Sequence, residues 1–397
     1  MSVSTQRRVV VSGMGCVSPL GVGCDATLAA LQDARDCVTP VTEFDVSRCR
    51  STTAGQVSDL SRAGVINARA GRWSRAAQML LIATHEALGQ GGSFSPEIAV
   101  IGTTSGGMPL GEAFYRASER GSHAPRRWVR DYVPQQPALD ALRTLGIDAP
   151  LRVLSNACAT GTNAVGNAFH LVRSGRVRRA LCGGYDALCE LVFAGFASLQ
   201  ASTGEKCRPF DAGRSGLVLG EGAAVFLLET AEDAEAAGRP ILAEIAGYGA
   251  ANDNHHLTQP NPDGSGPRMS MERALRDAGM VSDGIDYVNA HGTATPFNDA
   301  CEARAIMDVC PEATVSSTKG QMGHSLGAAG AIEAAFCILG IRNALAPANL
   351  HFRSADDGVA LDIVANAPRP LRIRAALSNS LGFGGSNASL VIREVAP

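Results

Sequence analysis

Three side chains with chemical potential stand at comparable places in this 397-residue sequence: Cys158, His291 and His324. Cys158 follows the short apolar run Leu151-Arg152-Val153-Leu154 and precedes an Ala-rich stretch, residues 164–172. That order reads as strand, sharp turn, helix. A thiol at such a turn meets unpaired N–H groups and the positive end of a helix dipole, which favour thiolate. It also points out of the scaffold, as at the nucleophile elbow of hydrolases. Position alone leaves a second reading open, a small buried apolar side chain. His291 ends the run Tyr287-Val288-Asn289-Ala290 and is followed by Gly292-Thr293; His324 closes Ser317-Thr318-Lys319-Gly320-Gln321-Met322-Gly323. A Cys with a His fits nucleophilic acyl transfer through a thioester. A second His suggests a donor to a carbonyl oxygen that becomes negative. No Asp is placed as a protease would place one to orient its His. Lys319 and Glu333 can form a local ion pair that fixes His324. The loop Gly382-Phe383-Gly384-Gly385 lets backbone N–H groups approach a ligand closely, but it lacks the Gly-Lys-Ser/Thr ending of a phosphate loop.

The elements that must hold these residues alternate. Residues 9–11 read as a strand entering a glycine turn, and 25–32 as a helix with Asp25 as N-cap. Residues 36–72 are irregular, 74–88 form a helix, and 98–101 form a strand ending in glycines. Residues 108–150 hold a helix near Glu112 and a loop with Trp128 and Tyr132. Strands follow at 179–183, 217–228, 241–247, 287–290, 314–317, 374–378 and 388–393, with helices at 232–238, 270–278, 299–309 and 328–340. This alternation, with strands apolar on both faces, points to α/β layers. There is also an internal repeat: 100–103 resembles 290–293, and 155–169 resembles 317–336. Two similar halves, 1–240 with the nucleophilic Cys and 241–397 with both His, would set Cys158 and His324 at neighbouring helix starts.

Composition bounds the function. A hydrophobic content of 45% allows a large core, and a net charge of −3 with no basic run argues against non-specific nucleic-acid binding. No apolar run approaches the ~18 residues of a membrane span, and the polar start, 1–8, does not read as a secretory signal. The 11 cysteines contain no CxxC pair, so neither a disulfide framework nor a zinc site is expected. A reducing cytoplasm is the natural compartment, with Cys182, Cys189 and Cys337 as inert core thiols.

Five segments, in order along nearly the whole chain, carry a resemblance: SNACATGTNAVGNAF, RPFDAGRSGLVLGEGA, NAHGTATPFND, SSTKGQMGHSLGAAGAIEA and SNSLGFGGSNASL. They resemble the β-ketoacyl-acyl-carrier-protein synthases of the thiolase superfamily, elongating type I/II condensing enzymes. The resemblance implies a five-layered αβαβα thiolase fold of two duplicated halves. It implies a decarboxylative Claisen condensation: Cys158 takes an acyl group from an acyl-carrier protein, and malonyl carrier loses carbon dioxide and attacks it. His291 and His324 would donate to the malonyl thioester oxygen, with Lys319 and Glu333 as their supporting pair. The N–H groups of Cys158 and Phe383 would form the oxyanion hole, and Phe383 would gate the acyl pocket. Thr293 and Thr295 would hold the phosphopantetheine arm. Leu381 and Ser105 would border the acyl chain, and Arg69, Arg72 and Arg208 would dock the acidic carrier. No metal or organic cofactor is implied. A homodimer, or a heterodimer with a chain-length factor, is implied, with the stretch 126–134 crossing to the mate's pocket.

Departures from the family pattern, Leu381 for Phe, Ser386 for Thr, Asn298 for Gly, and Ser105 for Gly or Ile, bear on the acyl substrate and not on the three catalytic residues. They leave room for a ketosynthase of a specialised type II polyketide or aryl-polyene pathway. A non-catalytic chain-length-factor-like partner would lack the nucleophile. A degradative thiolase would carry a second Cys where Gly382-Phe383-Gly384 stands.

Overall fold

The computed structural model describes residues 7–61, 64–66 and 73–395. Among the described residues the main sheet has twelve strands, and ten of them frame the site. The first five are β1 (Val9–Ser18), β2 (Ile98–Gly102), β3 (Leu151–Leu154), β4 (Arg179–Asp186) and β5 (Gly222–Thr230), side by side in the order β1-β5-β4-β2-β3. The second five are β6 (Ala243–Asn252), β7 (Tyr287–Asn289), β8 (Thr314–Ser316), β9 (Ala375–Gly382) and β10 (Ser386–Arg393), in the order β6-β10-β9-β7-β8. Both sets run first, fifth, fourth, second, third. In both, the first two pairings are antiparallel and the last two parallel. An antiparallel contact between β1 and β6, Val9 opposite Ile245, joins the sets.

Alternation along the strands makes the layers. In β2, Val100 faces a central core, whereas Ala99 and Ile101 face an outer one under helix α1 (Arg75–Gly91). In β7 and β9, Tyr287 and Ala376 face the same central core, whereas Val288 and Leu377 face the opposite outer layer. That central core holds α2 (Thr160–Arg173) and α5 (Ala329–Asn343); the opposite layer holds α3 (Ser265–Ala278) and α4 (Pro296–Val309). The result is the five-layered αβαβα arrangement.

The two central helices start side by side because glycines let them. A Cβ on Gly161 would stand 2.8 Å from the backbone N of Ala331, and one on Gly330 would stand 2.8 Å from the N of Thr162. Cys158 and His324 therefore precede neighbouring helix starts, as the repeat suggests.

Four expectations are corrected. The segment Leu326–Asn343 is long and apolar enough to cross a membrane, but 89% of it is buried; strands cover both sides of this central helix, so it needs no polar face. Asp25 does not cap the first helix: Gly23 does, Asp25 lies in the first turn, and the distant Glu86 accepts from the Cys24 N–H at 2.7 Å. The stretch 126–134 is not a loop but contains the short helix Arg127–Asp131, and helices Gln136–Thr144 and Glu190–Ser198 join it unforeseen. Several elements run past their expected bounds, among them Arg179–Asp186, Ser265–Ala278 and Ala375–Gly382, whereas the strand expected over 217–228 begins only at Gly222; Arg69 and Arg72 lie outside the described residues.

Candidate active site

The turn before α2 is tight enough to put Ala157 in the left-handed region, φ 55°. A non-glycine residue there is strained and needs support. Its carbonyl accepts from the hydroxyls of Thr160 and, at 3.2 Å, Thr104. Cys158 follows, buried, and the backbone N–H of Phe383 donates to its sulfur. Phe383 is the tip of the turn between β9 and β10, and its ring stacks on Phe196 with centroids 5.5 Å apart.

Helix α4 fixes the His291 segment. Asp299 and Glu302, three residues apart and so on one face, both point at the loop ahead of their own helix. Glu302 accepts from the backbone N–H of His291 at 2.7 Å and of Gly292 at 2.8 Å. Asp299 accepts from Ala294 and, at 2.7 Å, from Phe210. The His324 backbone is held by the segment before β5: its N–H donates to Val218 at 2.7 Å, and its carbonyl accepts from Gly220 at 2.8 Å.

The two imidazoles meet edge to face, centroids 5.1 Å apart and planes at 88°. Nδ1 of His291 and both ring nitrogens of His324 are buried without a partner. Buried polar atoms without a partner call for a reason, and a cleft that reaches both rings supplies one. Below them Lys319 and Glu333 form a fully buried ion pair. Burial, with the Lys319 cation as second cause, holds both histidines well below their ordinary value; for His291 the neighbouring His324 adds to this. Both are neutral near pH 7. Burial also dominates at Cys158 and pushes its thiol up to about 12; Lys319 opposes this, and Asp186 and Glu333 add to it. Burial thus raises the thiol where the strand–turn–helix pattern leads one to expect a thiolate. Cys182, Cys189 and Cys337 are raised by burial as well.

One open cleft reaches Cys158, His291 and His324 together, and Thr293, Thr295, Leu381 and Phe383 line it too. The hydroxyls of Thr293 and Thr295 are 2.9 Å apart. Ser105 is not on this cleft; its hydroxyl donates to Asp186 at 2.8 Å. Arg208 is partly buried and paired with Glu205 at 3.0 Å. Sequence reading passed over Asp186, Asp299, Glu302 and Phe196. The acidic pair spaced i, i+3 directly after the His291 loop was the available signal for two of them.

Residues 6–234 match the family model described as beta-ketoacyl synthase, N-terminal domain, and residues 242–353 match beta-ketoacyl synthase, C-terminal domain. The chain belongs to the β-ketoacyl synthase family. It is 37% identical over 414 residues to a 3-oxoacyl-[acyl-carrier-protein] synthase 2 of Staphylococcus aureus, covering 99% of each chain. Among solved structures it superposes on the ishigamide ketosynthase/chain length factor with TM-score 0.93 and 32% identity, covering 99% of this chain and 100% of that one. A type II polyketide ketosynthase bound to the hexaketide, in complex with its acyl-carrier protein, gives TM-score 0.90 at 26% identity, covering 99% and 100%. As a β-ketoacyl synthase the chain is an acyltransferase that forms 3-oxoacyl thioesters, and its thiolase-like layers are those of the family.

Proposed function

We propose that the cleft carries both half-reactions of a decarboxylative condensation, with Cys158 as nucleophile. The observation that carries this is the convergence of one thiol, a backbone donor on its sulfur and two neutral, unpartnered imidazoles at one cleft end. The thiol attacks the thioester of an acyl-carrier substrate; the carrier sulfur leaves and takes the thiol proton, passed through an imidazole. The acyl carbonyl then lies at the N–H groups of Cys158 and Phe383, which stabilise each tetrahedral oxyanion. Malonyl carrier enters next, its arm along Thr293 and Thr295. Loss of carbon dioxide leaves an electron pair as an enolate, whose oxygen accepts from His291 and His324. The carbanion attacks acyl-Cys158, the C–S bond breaks, Cys158 leaves as thiolate and takes up a proton from solvent, and the 3-oxoacyl carrier departs. Lys319 and Glu333 keep a fixed charge pair beneath the imidazoles, Phe383 stacked on Phe196 gates the pocket, and Leu381 borders the acyl chain. Two halves, 1–240 and 241–397, meet at this site.

The main reading is chain elongation of the fatty-acid type. A ketosynthase of a specialised type II polyketide pathway is the second reading, favoured by the names of the solved relatives, one of which stands in complex with its acyl-carrier protein. The partner is an acyl-carrier protein, docked near Arg208 with Arg69 and Arg72. A second copy, or a chain-length factor, completes a dimer. Eleven free cysteines suit a reducing cytoplasm.

Incubation with an acyl-carrier thioester, followed by peptide mass mapping, should place the acyl group on Cys158. Acylation of Cys182 or Cys207 with Cys158 free would overturn the assignment. Turnover on saturated against poly-3-oxo acyl carriers separates the two pathways.

A further inference from the structure

Asp186, at the end of β4, is a buried carboxylate that the mechanism above does not use. It accepts from Thr103 Oγ1 at 2.7 Å, from the backbone N–H groups of Thr104 and Ser105 at 2.8 Å, from Ser105 Oγ at 2.8 Å, and from Gly106 N–H at 3.3 Å. Its second oxygen also accepts from the N–H of Gly327 at 2.7 Å. No cation pairs with it among the described residues. Such a carboxylate is costly to bury, and donors from one turn alone would satisfy it.

The donors come from two places. Residues 103–106 belong to the first half, and Thr104 from that turn reaches the carbonyl of strained Ala157, next to Cys158. Gly327 belongs to the second half, three residues after His324. It sits so close that a Cβ there would stand 2.6 Å from Thr104 N and 2.7 Å from Asp186 Oδ2.

We propose that Asp186 is a positioning residue for condensation: by clamping the 103–106 turn and Gly327 on one carboxylate, it fixes the Cys158 elbow against the His324 segment. This rests on Cys158 being the nucleophile. His291 and His324 share the cleft with the thiol, and the charges of Lys319, Asp186 and Glu333 act on it. The Asp186 charge works against thiolate, so it is retained for geometry and not for activation.

The test uses Asp186→Asn, which removes the charge, and Thr104→Val, which keeps it and deletes only the bond to Ala157. Each is compared with the wild-type enzyme for kcat and KM of condensation with malonyl carrier, and separately for Cys158 acylation from an acyl-carrier thioester. The pH profile of Cys158 alkylation by iodoacetamide is the second readout. Asp186→Asn should lower kcat on the order of tenfold or more with KM unchanged, since a misplaced reacting group costs rate rather than binding. Its alkylation profile should move to lower pH. Thr104→Val should lower kcat several-fold and leave the profile in place. Folded Asp186→Asn with wild-type kcat of condensation overturns the proposal. If Asp186→Asn does not fold, wild-type kcat in Thr104→Val does so. Wild-type enzyme acylated elsewhere than Cys158 would instead sink the nucleophile assignment.

Discussion

A neutral imidazole can donate to an oxyanion, and the proposed mechanism asks this of His291 and His324 while Lys319 stays paired with Glu333. Because burial and Lys319 both keep His291 and His324 unprotonated, acid should not disable the donors until well below the ordinary His range. Replacing either by Ala should slow malonyl decarboxylation on the order of 10²–10³ while acyl loading of Cys158 suffers less; equal decarboxylation in a variant would remove that His from the site. Glu302 makes a second test. Burial raises its carboxyl from 4.5 to about 7, against the pull of the His291 and Gly292 N–H groups. An acid raised in the folded state stabilises fully below its unfolded value and loses that contribution as pH rises through the folded one. Wild-type melting temperature should therefore fall between pH 4.5 and 7, and Glu302→Gln should flatten the fall; a parallel slope in both proteins would show the raised value to be wrong. Cys158, His291 and His324 were legible because each sits between a strand pattern and glycines. The state of the thiol was not, because desolvation is set by residues distant in sequence: Gly382, for one, brings the β9–β10 turn to within 3.3 Å of the Cys158 N–H were a Cβ built there.

The close approach of the two central helices bears on how Cys158 and His324 are placed. Gly161→Ala would push a methyl to 2.8 Å from two backbone atoms, Ala331 N and Gly327 O. Neither can rotate away, so α2 and α5 must separate. The expected cost is about 1–3 kcal/mol, read as a lower melting temperature together with a larger loss of condensation than of stability. A variant that melts like wild type would show that the helix starts are loosely held. The duplicated strand–helix plan was visible in the sequence because 155–169 and 317–336 repeat a pattern of small residues. The helix Glu190–Ser198 was not, because Phe193 is its one buried residue and no apolar period marks it. Yet its Phe196 supports Phe383. Elements whose apolar residues face a cleft or solvent instead of a core do not announce themselves through periodicity.

At the scale of the molecule one end of the sheet is unfinished. Among the described residues strand β3 closes the order with no strand on its outer side, and Leu151, Val153 and Leu154 are only half-buried. Helix Met108–Glu119 and helix Arg127–Asp131 bury no residue at all, and Tyr115, Val129 and Tyr132 are 64%, 50% and 41% exposed. The stretch 126–134 also packs on its own chain: a Cβ on Gly111 would meet the Tyr132 ring at 2.4 Å, and one on Gly106 would meet Pro134 at 2.7 Å. Long apolar side chains left bare on helices without a core face indicate a covering partner. A second subunit over these helices would bury them while leaving the cleft open. Wild-type protein should thus sediment at twice the 41.1 kDa of one chain. A charge placed among buried apolar contacts is strongly unfavourable, so Tyr115→Glu with Val129→Glu should yield monomers. These should stay folded, because neither side chain belongs to a core, but should condense at least roughly tenfold more slowly, since the 103–106 turn that supports Cys158 leads directly into the helix bearing Tyr115. Sedimentation of both proteins at matched concentration decides it, with condensation assayed on the same samples. A wild-type monomer, or a double variant that is monomeric and fully active, would mean that the site needs no partner and that these side chains are bare for another reason.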